Sequence, residues 1–99
     1  MTITYHEDAL IDLQDALRHY HEISARLASE FETEIEAILV KARNNPANYH
    51  FTANRTHRRA NLKQFPYHVL YRFNEATHVI RILSVRHNKR HPSFGMKRH

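Results

Sequence analysis

The stretch that decides the fold runs from residue 58 to residue 90 and reads RRANLKQFPYHVLYRFNEATHVIRILSVRHNKR. It contains two apolar runs, at 67–73 and 79–85, which are rich in β-branched and aromatic residues and are joined by a short polar turn. Such runs predict a pair of antiparallel strands. Basic residues precede, interrupt and follow both runs, so one face of the predicted sheet is suited to an anionic partner.

The alternation of side chains predicts how these two strands pair. With residues 74–77 as a four-residue loop, the expected pairs are Phe73–His78, Tyr71–Ile80 and Val69–Ile82. The face expected to pack on the helices then holds Tyr67, Val69, Tyr71, Phe73, Ile80 and Ile82. The open face holds His68, Leu70, Arg72, Val79, Arg81, Leu83 and Val85. A loop one residue shorter would change which residues of the second strand lie beside His68.

The segment before this pair has a weaker pattern. Residues 58–65 predict a third strand, and Pro66 must begin a strand or lie outside one because it has no N–H to donate. Residues 46–57 have no sustained period and predict a loop, with Tyr49 and Phe51 expected to close it onto the core.

The first half of the chain predicts a short strand and two helices. Thr2 to Tyr5 alternates like a strand. From Glu7 onward the period is helical, with Asp8 as a candidate N-cap. The expected apolar stripe is Leu10, Leu13, Leu17 and Tyr20.

Ser24 is a good N-cap for a second helix, which predicts a break between the two helices. The stripe of the second helix is Leu27, Phe31, Ile35, Ile38 and Ala42. Residues 44–46, Asn-Asn-Pro, end it, because Asn tolerates a left-handed C-cap and Pro disfavours helix at the preceding residue. The many acidic residues of this helical hairpin are interpreted as solvated surface.

Composition limits the possible classes of protein. Ninety-nine residues suffice for a single domain, 1–99. There is no cysteine, no apolar run long enough for a membrane span and no secretory signal pattern, which suits a cytoplasmic protein. Residues 1–50 carry four Lys and Arg against nine Asp and Glu, whereas residues 51–99 carry eleven against one. Because the second half of the chain is so basic, we expect an anionic partner, either nucleic acid or an acidic protein segment.

Three motifs in this order resemble the RelE/ParE superfamily of type II toxin–antitoxin toxins, and its ParE-like members in particular. The motifs are Arg58-Arg59, Phe65-Pro66-Tyr67-His68-Val69-Leu70-Tyr71 and His87-Asn88-Lys89-Arg90-His91-Pro92. The resemblance covers nearly the whole chain. It implies an α+β fold of order β-α-α-β-β-β, in which an N-terminal strand and a helical hairpin pack with a small antiparallel sheet that is followed by a basic C-terminal tail.

The resemblance also implies a partner and a target. The partner would be a cognate antitoxin that wraps and neutralises the toxin. Within the superfamily, ParE-type members poison DNA gyrase and RelE-type members cleave messenger RNA on the ribosome without a metal. Three hypotheses follow: a gyrase poison of a plasmid-stabilisation system, a ribosome-dependent endoribonuclease, or a degenerate toxin that retains only antitoxin binding.

The residues expected for RelE-like cleavage are incomplete in this sequence. Arg59 falls where one functional lysine is expected, but Asn61 falls where the other is expected, and His68 replaces a phosphate-binding arginine. Ser93 or Phe94 stands where a tyrosine would be. This loss favours the gyrase poison.

Candidate site residues follow from the basic residues of the sequence and from the resemblance to this superfamily. If the chain is a ribonuclease, the candidate catalytic residues are His68, His87 and Arg90, since histidine titrates near neutral pH and arginine binds phosphate. The candidates for phosphate or antitoxin binding are Arg59, Arg72, Arg81 and Arg86. No metal site is expected at His87 and His91, because no acid or cysteine is near them, and no cofactor is expected.

Overall fold

The computed structural model describes residues 1–89 and confirms the predicted α+β fold with the order β-α-α-β-β-β. The strands are β1 (Thr2–Tyr5), β2 (Arg58–Asn61), β3 (Tyr67–Asn74) and β4 (Val79–His87). The helices are α1 (Glu7–Ile23) and α2 (Ala25–Asn44), and a single 3-10 turn follows at Pro46–Asn48. Arg90 and the rest of the predicted basic tail lie outside the described residues. Within residues 1–89, no helix is long and apolar enough to cross a membrane.

The four strands form one sheet in the order β1-β4-β3-β2. The three later strands are antiparallel to one another, as predicted, but β1 pairs with β4 in parallel. The sheet is therefore mixed rather than antiparallel throughout. The helical hairpin of α1 and α2 lies between β1 and the later strands in the chain and forms part of the long connection that parallel strands need.

The register of β3 and β4 differs from the predicted one. Asn74 pairs with Val79, so the loop is residues 75–78, one residue later than expected. His78 has a φ of 54° and ends this loop in the left-handed region. Asn74 stabilises the turn, because its Oδ1 accepts from the backbone N–H groups of Ala76 and Thr77.

A β-bulge then changes the faces of β4. Tyr71 pairs with Ile82 but Leu70 pairs with Ser84, which leaves Leu83 as the extra residue. Beyond the bulge every side chain of β4 lies on the face opposite to the one predicted. Val85, expected on the open face, is therefore opposite Val69 and lies in the core.

The ends of the helices are fixed by side chains. Ser24 caps α2 as predicted, with its Oγ accepting from the N–H of Leu27 at 3.2 Å. The N-cap of α1 is His6 and not Asp8, because the Nδ1 of His6 accepts from the N–H of Asp8 at 3.0 Å. Asn45 ends α2 with extended backbone, φ −157°, instead of the expected left-handed conformation.

The core lies between the hairpin and one face of the sheet. The stripe predicted for α2 is buried at Phe31, Ile35, Ile38 and Ala42. In the stripe predicted for α1, only Leu10 is exposed, by 44%, and the other three residues pack against the core: Leu13, Leu17 and Tyr20. The most buried residues of α1 lie one position earlier, at Ala9, Asp12 and Ala16. Four aromatic rings fill the space between the layers: those of Tyr20, Phe31, Phe65 and Tyr67. Each of these rings lies within 6 Å of at least two of the others.

Only one of the two aromatic residues expected to close the loop at 46–57 does so. Tyr49 packs against the core, whereas Phe51 is 51% exposed and pairs through its backbone with Arg58. The loop is also held by Tyr71, whose buried hydroxyl donates to the carbonyl of Pro46 at 2.6 Å. Burial of this phenol raises the pKa of Tyr71 to about 12.

Glu34 of α2 is one acid that is not simply solvated surface. Its carboxylate accepts from the N–H of Lys63 at 2.6 Å and from the N–H of Gln64 at 3.1 Å, and so holds the connection between β2 and β3. Because hydrogen bonds to a charged acceptor are worth about 1.5–3 kcal/mol, we expect Glu34→Ala to lower the free energy of unfolding by about that amount. Urea denaturation measures it. Glu32→Ala, an exposed acid on the same helix, is the control and should change stability by less than about 0.5 kcal/mol.

Candidate binding face of the sheet

The face of the sheet that points away from the helices collects most of the candidate residues. Arg59 of β2 is opposite Leu70 of β3, and Asn61 is opposite His68. Arg72 of β3 is opposite Arg81 of β4. Directly opposed residues share a face. Four predicted site residues therefore lie on this open face: Arg59, His68, Arg72 and Arg81.

His68 and Arg59 are joined by Asn88, which directly follows β4. The Oδ1 of Asn88 lies 2.9 Å from the Nδ1 of His68 and 3.3 Å from the Nη2 of Arg59. Since an amide oxygen only accepts, the Nδ1 of His68 carries the proton and its Nε2 is the acceptor when the ring is neutral. Arg59 is held further by Asn61, whose Oδ1 accepts from its Nε at 2.9 Å. Sequence reasoning missed the role of Asn88, although it lies inside one of the quoted motifs.

Burial is the main reason why the pKa of His68 lies below its usual value. The charge of Arg59 lowers this pKa further, and the hydrogen bond to Asn88 opposes the shift. His68 is only 9% exposed. The ring is therefore neutral at pH 7, and its burial limits the access of an RNA hydroxyl to it.

The lowered pKa of His68 makes stability depend on pH. A histidine whose pKa is lower in the folded state than in the unfolded state binds fewer protons when folded. Its contribution to the stability of the fold is therefore complete above the unfolded pKa of about 6.5 and is lost as pH falls below that value. We expect wild type to lose more stability between pH 7 and pH 5 than His68→Asn does. Urea denaturation at the two pH values measures the difference. His19→Asn, which replaces an exposed helical histidine, should behave like wild type.

Arg72 and Arg81 place two guanidinium groups on opposed positions of neighbouring strands. Like charges in this arrangement repel each other. The Nη1 of Arg81 also donates to the hydroxyl of Thr4 on β1 at 3.4 Å. This end of the open face therefore carries two neighbouring positive charges.

Arg86, the fourth predicted binding residue, forms an ion pair with a helix residue. Its register is opposite His68, but its Nη2 lies 3.1 Å from the Oδ1 of Asp12 on α1, and both side chains are largely buried. The other carboxylate oxygen of Asp12 accepts from the N–H of Val85 at 3.1 Å. The guanidinium of Arg86 thus joins a helix to the sheet. The interpretation of Asp12 as solvated surface is wrong.

His87 lies on the opposite side of the sheet from His68. It is opposite Tyr67, and the two rings meet edge to face at 5.2 Å between centroids. Its Nδ1 accepts from the N–H of Lys89 at 3.1 Å. The bulge at Leu83 causes this separation, because it reverses the faces of the last part of β4. The third candidate catalytic residue, Arg90, lies outside the described residues.

Comparisons with known proteins agree with this architecture. The family model described as the ParE toxin of the type II toxin–antitoxin system parDE matches residues 3–92. Among solved structures, the chain is similar to a chain of the chromosomal ParDE toxin–antitoxin system from P. aeruginosa, with a TM-score of 0.68 and 21% identity. That match covers 88% of this chain and 95% of the other. No curated protein matches the sequence.

Proposed function

Since the chain belongs to the ParE toxin family of type II toxin–antitoxin systems, we propose that it arrests growth by poisoning DNA gyrase in the cytoplasm. In this proposal the toxin acts by binding protein, and its cognate antitoxin neutralises it. RNA cleavage on the ribosome is the activity that the proposal excludes.

The separation of His68 and His87 is the observation that carries this choice. Cleavage by attack of a 2′-hydroxyl needs a base and an acid that reach the same phosphate. The two histidines lie on opposite faces of the sheet, and each ring uses its Nδ1 in a hydrogen bond to the segment after β4. Within residues 1–89 the predicted histidines therefore form no acid–base pair around one phosphate.

The open face supports the second part of the proposal. Arg59, Arg72 and Arg81 share it, and an acidic antitoxin segment would match their charge. Arg86 is not included, because its guanidinium is paired with Asp12. We expect the double charge reversal Arg72→Glu/Arg81→Glu to weaken binding of the antitoxin encoded beside the toxin. Arg18→Glu/Arg26→Glu, at two exposed positions of the helical hairpin, changes the net charge by the same amount and is the control.

A test of the target compares two readouts of the same purified toxin. Incubation with gyrase, ATP and plasmid DNA should trap cleaved DNA, and a translating extract should show intact messages by toeprinting. His68→Ala should still trap cleaved DNA, because the proposal gives that ring no chemical role. Messages cut at ribosomal A-site codons by wild type, with cutting lost in His68→Ala, would establish the ribonuclease instead. A protein inactive in both assays that still binds antitoxin would be a degenerate toxin.

A further inference from the structure

A second positive surface lies beside β2 at the outer edge of the sheet, away from Arg72 and Arg81. Residues 50–59 form a short antiparallel hairpin, here called the basic hairpin. The N–H of Arg59 donates to the carbonyl of His50 at 3.1 Å, and the N–H of Thr52 donates to the carbonyl of His57 at 2.7 Å. Between these two bonds, Phe51 is directly opposite Arg58. The basic hairpin is thus an ordered extension of β2.

The tip of the basic hairpin holds one arginine in a fixed position. The Oδ1 of Asn54 accepts from the hydroxyl of Thr52 and from the N–H groups of Thr56 and His57. The turn leaves Arg55 with a φ of 61°, an uncommon conformation for a residue with a side chain. Arg55 is exposed, so this turn presents a cation to solvent at the cost of some backbone strain.

An aromatic ring and a guanidinium are stacked on the same hairpin. The Cζ of Arg58 lies 3.7 Å from the centroid of the Phe51 ring. Arg58 is held there, because its Nη1 donates to the carbonyl of Tyr49 at 2.7 Å. Phe51 nevertheless remains 51% exposed. Such exposure of an ordered aromatic ring is costly in water and leaves part of a flat apolar surface accessible next to the guanidinium of Arg58.

The charge around this ring identifies the class of ligand. The basic hairpin contains no Asp or Glu, and two of its three arginines, Arg55 and Arg58, lie outside the open face. An acidic peptide would use the cations but has no general need for an exposed ring. A single-stranded nucleic acid offers both a base that stacks on an aromatic ring and phosphates that bind cations.

We propose that the basic hairpin binds single-stranded nucleic acid, with an unpaired base on the ring of Phe51 and the adjoining phosphates on Arg55 and Arg58. Arg58 is opposite Tyr71, so its side chain lies on the face of the sheet opposite to Arg59, Arg72 and Arg81. The inference does not depend on gyrase being the target, because it concerns binding of the nucleic acid itself.

The test uses the full-length toxin and a fluorescein-labelled oligothymidylate, with anisotropy as the readout. We expect Phe51→Ala to weaken binding by about 5- to 150-fold, the range for loss of one stacked base. Arg55→Ala should reduce the slope of log K against log salt by about 0.7, as expected when one phosphate contact to a single strand is lost. Ile23→Ala removes an apolar side chain that is 62% exposed on the helical hairpin and should leave binding unchanged.

A tryptophan substitution gives a second, independent readout. The chain contains no tryptophan, so Phe51→Trp introduces a single reporter at the proposed stacking site. We expect this variant to retain binding and its fluorescence to be quenched on addition of unlabelled oligothymidylate. Wild-type affinity in Phe51→Ala, or no quenching in Phe51→Trp, would overturn the proposal. The proposal would also be overturned if polyglutamate bound the toxin as tightly as the oligonucleotide does and if Phe51→Ala weakened the binding of both by the same factor.

Discussion

Replacing Asp12 by alanine is expected to lower the free energy of unfolding by about 3–5 kcal/mol, the usual cost of removing one partner of a buried ion pair. The loss has two sources. Arg86 keeps its charge in a largely buried position, and the N–H of Val85 loses its acceptor. A domain of this size is stable by only about 5–15 kcal/mol, so Asp12→Ala should be close to unfolding at moderate temperature. Thermal and urea unfolding measure the loss.

A nearby acid provides the matched control for Asp12. Asp15 pairs with Arg18 at 3.6 Å one turn later on α1, but both side chains are more than 60% exposed. Asp15→Ala should therefore cost less than about 1 kcal/mol. Because Asp12 and Arg86 interact, Asp12→Ala/Arg86→Met should lose less than the sum of the two single variants. Equal effects of Asp12→Ala and Asp15→Ala would show that the buried pair does not stabilise the fold.

The second large effect is expected at Phe31, whose fully buried ring contacts Tyr20, Phe65 and Tyr67. Phe31→Ala leaves a cavity between α2 and the sheet and should cost about 3–5 kcal/mol. Because each kcal/mol shifts the midpoint by about 4–8 °C in a domain of this size, calorimetry should show a decrease of more than about 10 °C.

Two further variants define the cause of that loss. Phe31→Leu keeps much of the volume and should recover a substantial part of the stability. Leu10→Ala removes a side chain that is 44% exposed on α1, and its effect should be much smaller. If Phe31→Ala and Leu10→Ala have similar midpoints, the aromatic cluster is not the centre of the core.

The order of helices and strands could be predicted from the sequence because most elements carry a clear period, whereas the weak pattern at 58–65 left the end of β2 four residues too late. The alternation at 67–73 and the stripe from Phe31 to Ala42 depend only on local geometry. The break at Ser24 was predictable for the same reason, since a capping hydroxyl is a local feature.

Which side chains of β4 lie on which face of the sheet could not be predicted, because this depends on a bulge that no residue type indicates. Leu83 is as apolar as Ile82 and Val85, and nothing in ILSV indicates which residue is extra. The consequence for the site is large. The candidate catalytic residues His68 and His87 lie on opposite faces of the sheet, and Val85 moves from the predicted open face to the core.

The role of Asp12 was missed for a different reason. An acid in an amphipathic helix is normally solvated. β1 is short and ends opposite Ile82, so within residues 1–89 no strand pairs with this edge of β4 beyond that point. Asp12 supplies the acceptor that a longer strand would have supplied. Strand length and helix position together determine this contact, and neither is a local property of the sequence.

The parallel pairing of β1 with β4 also limits when a folded toxin can exist during its own synthesis. β4 is made last of the four strands, yet it lies inside the sheet between β1 and β3, and α1 packs against it. A growing chain that has not reached Val79 lacks the strand that residues 2–5 pair with, so the sheet cannot form until β4 has been synthesised. A chain ending at Thr77 should therefore show no cooperative unfolding by circular dichroism. Messages that are abandoned before that point yield fragments without the folded sheet.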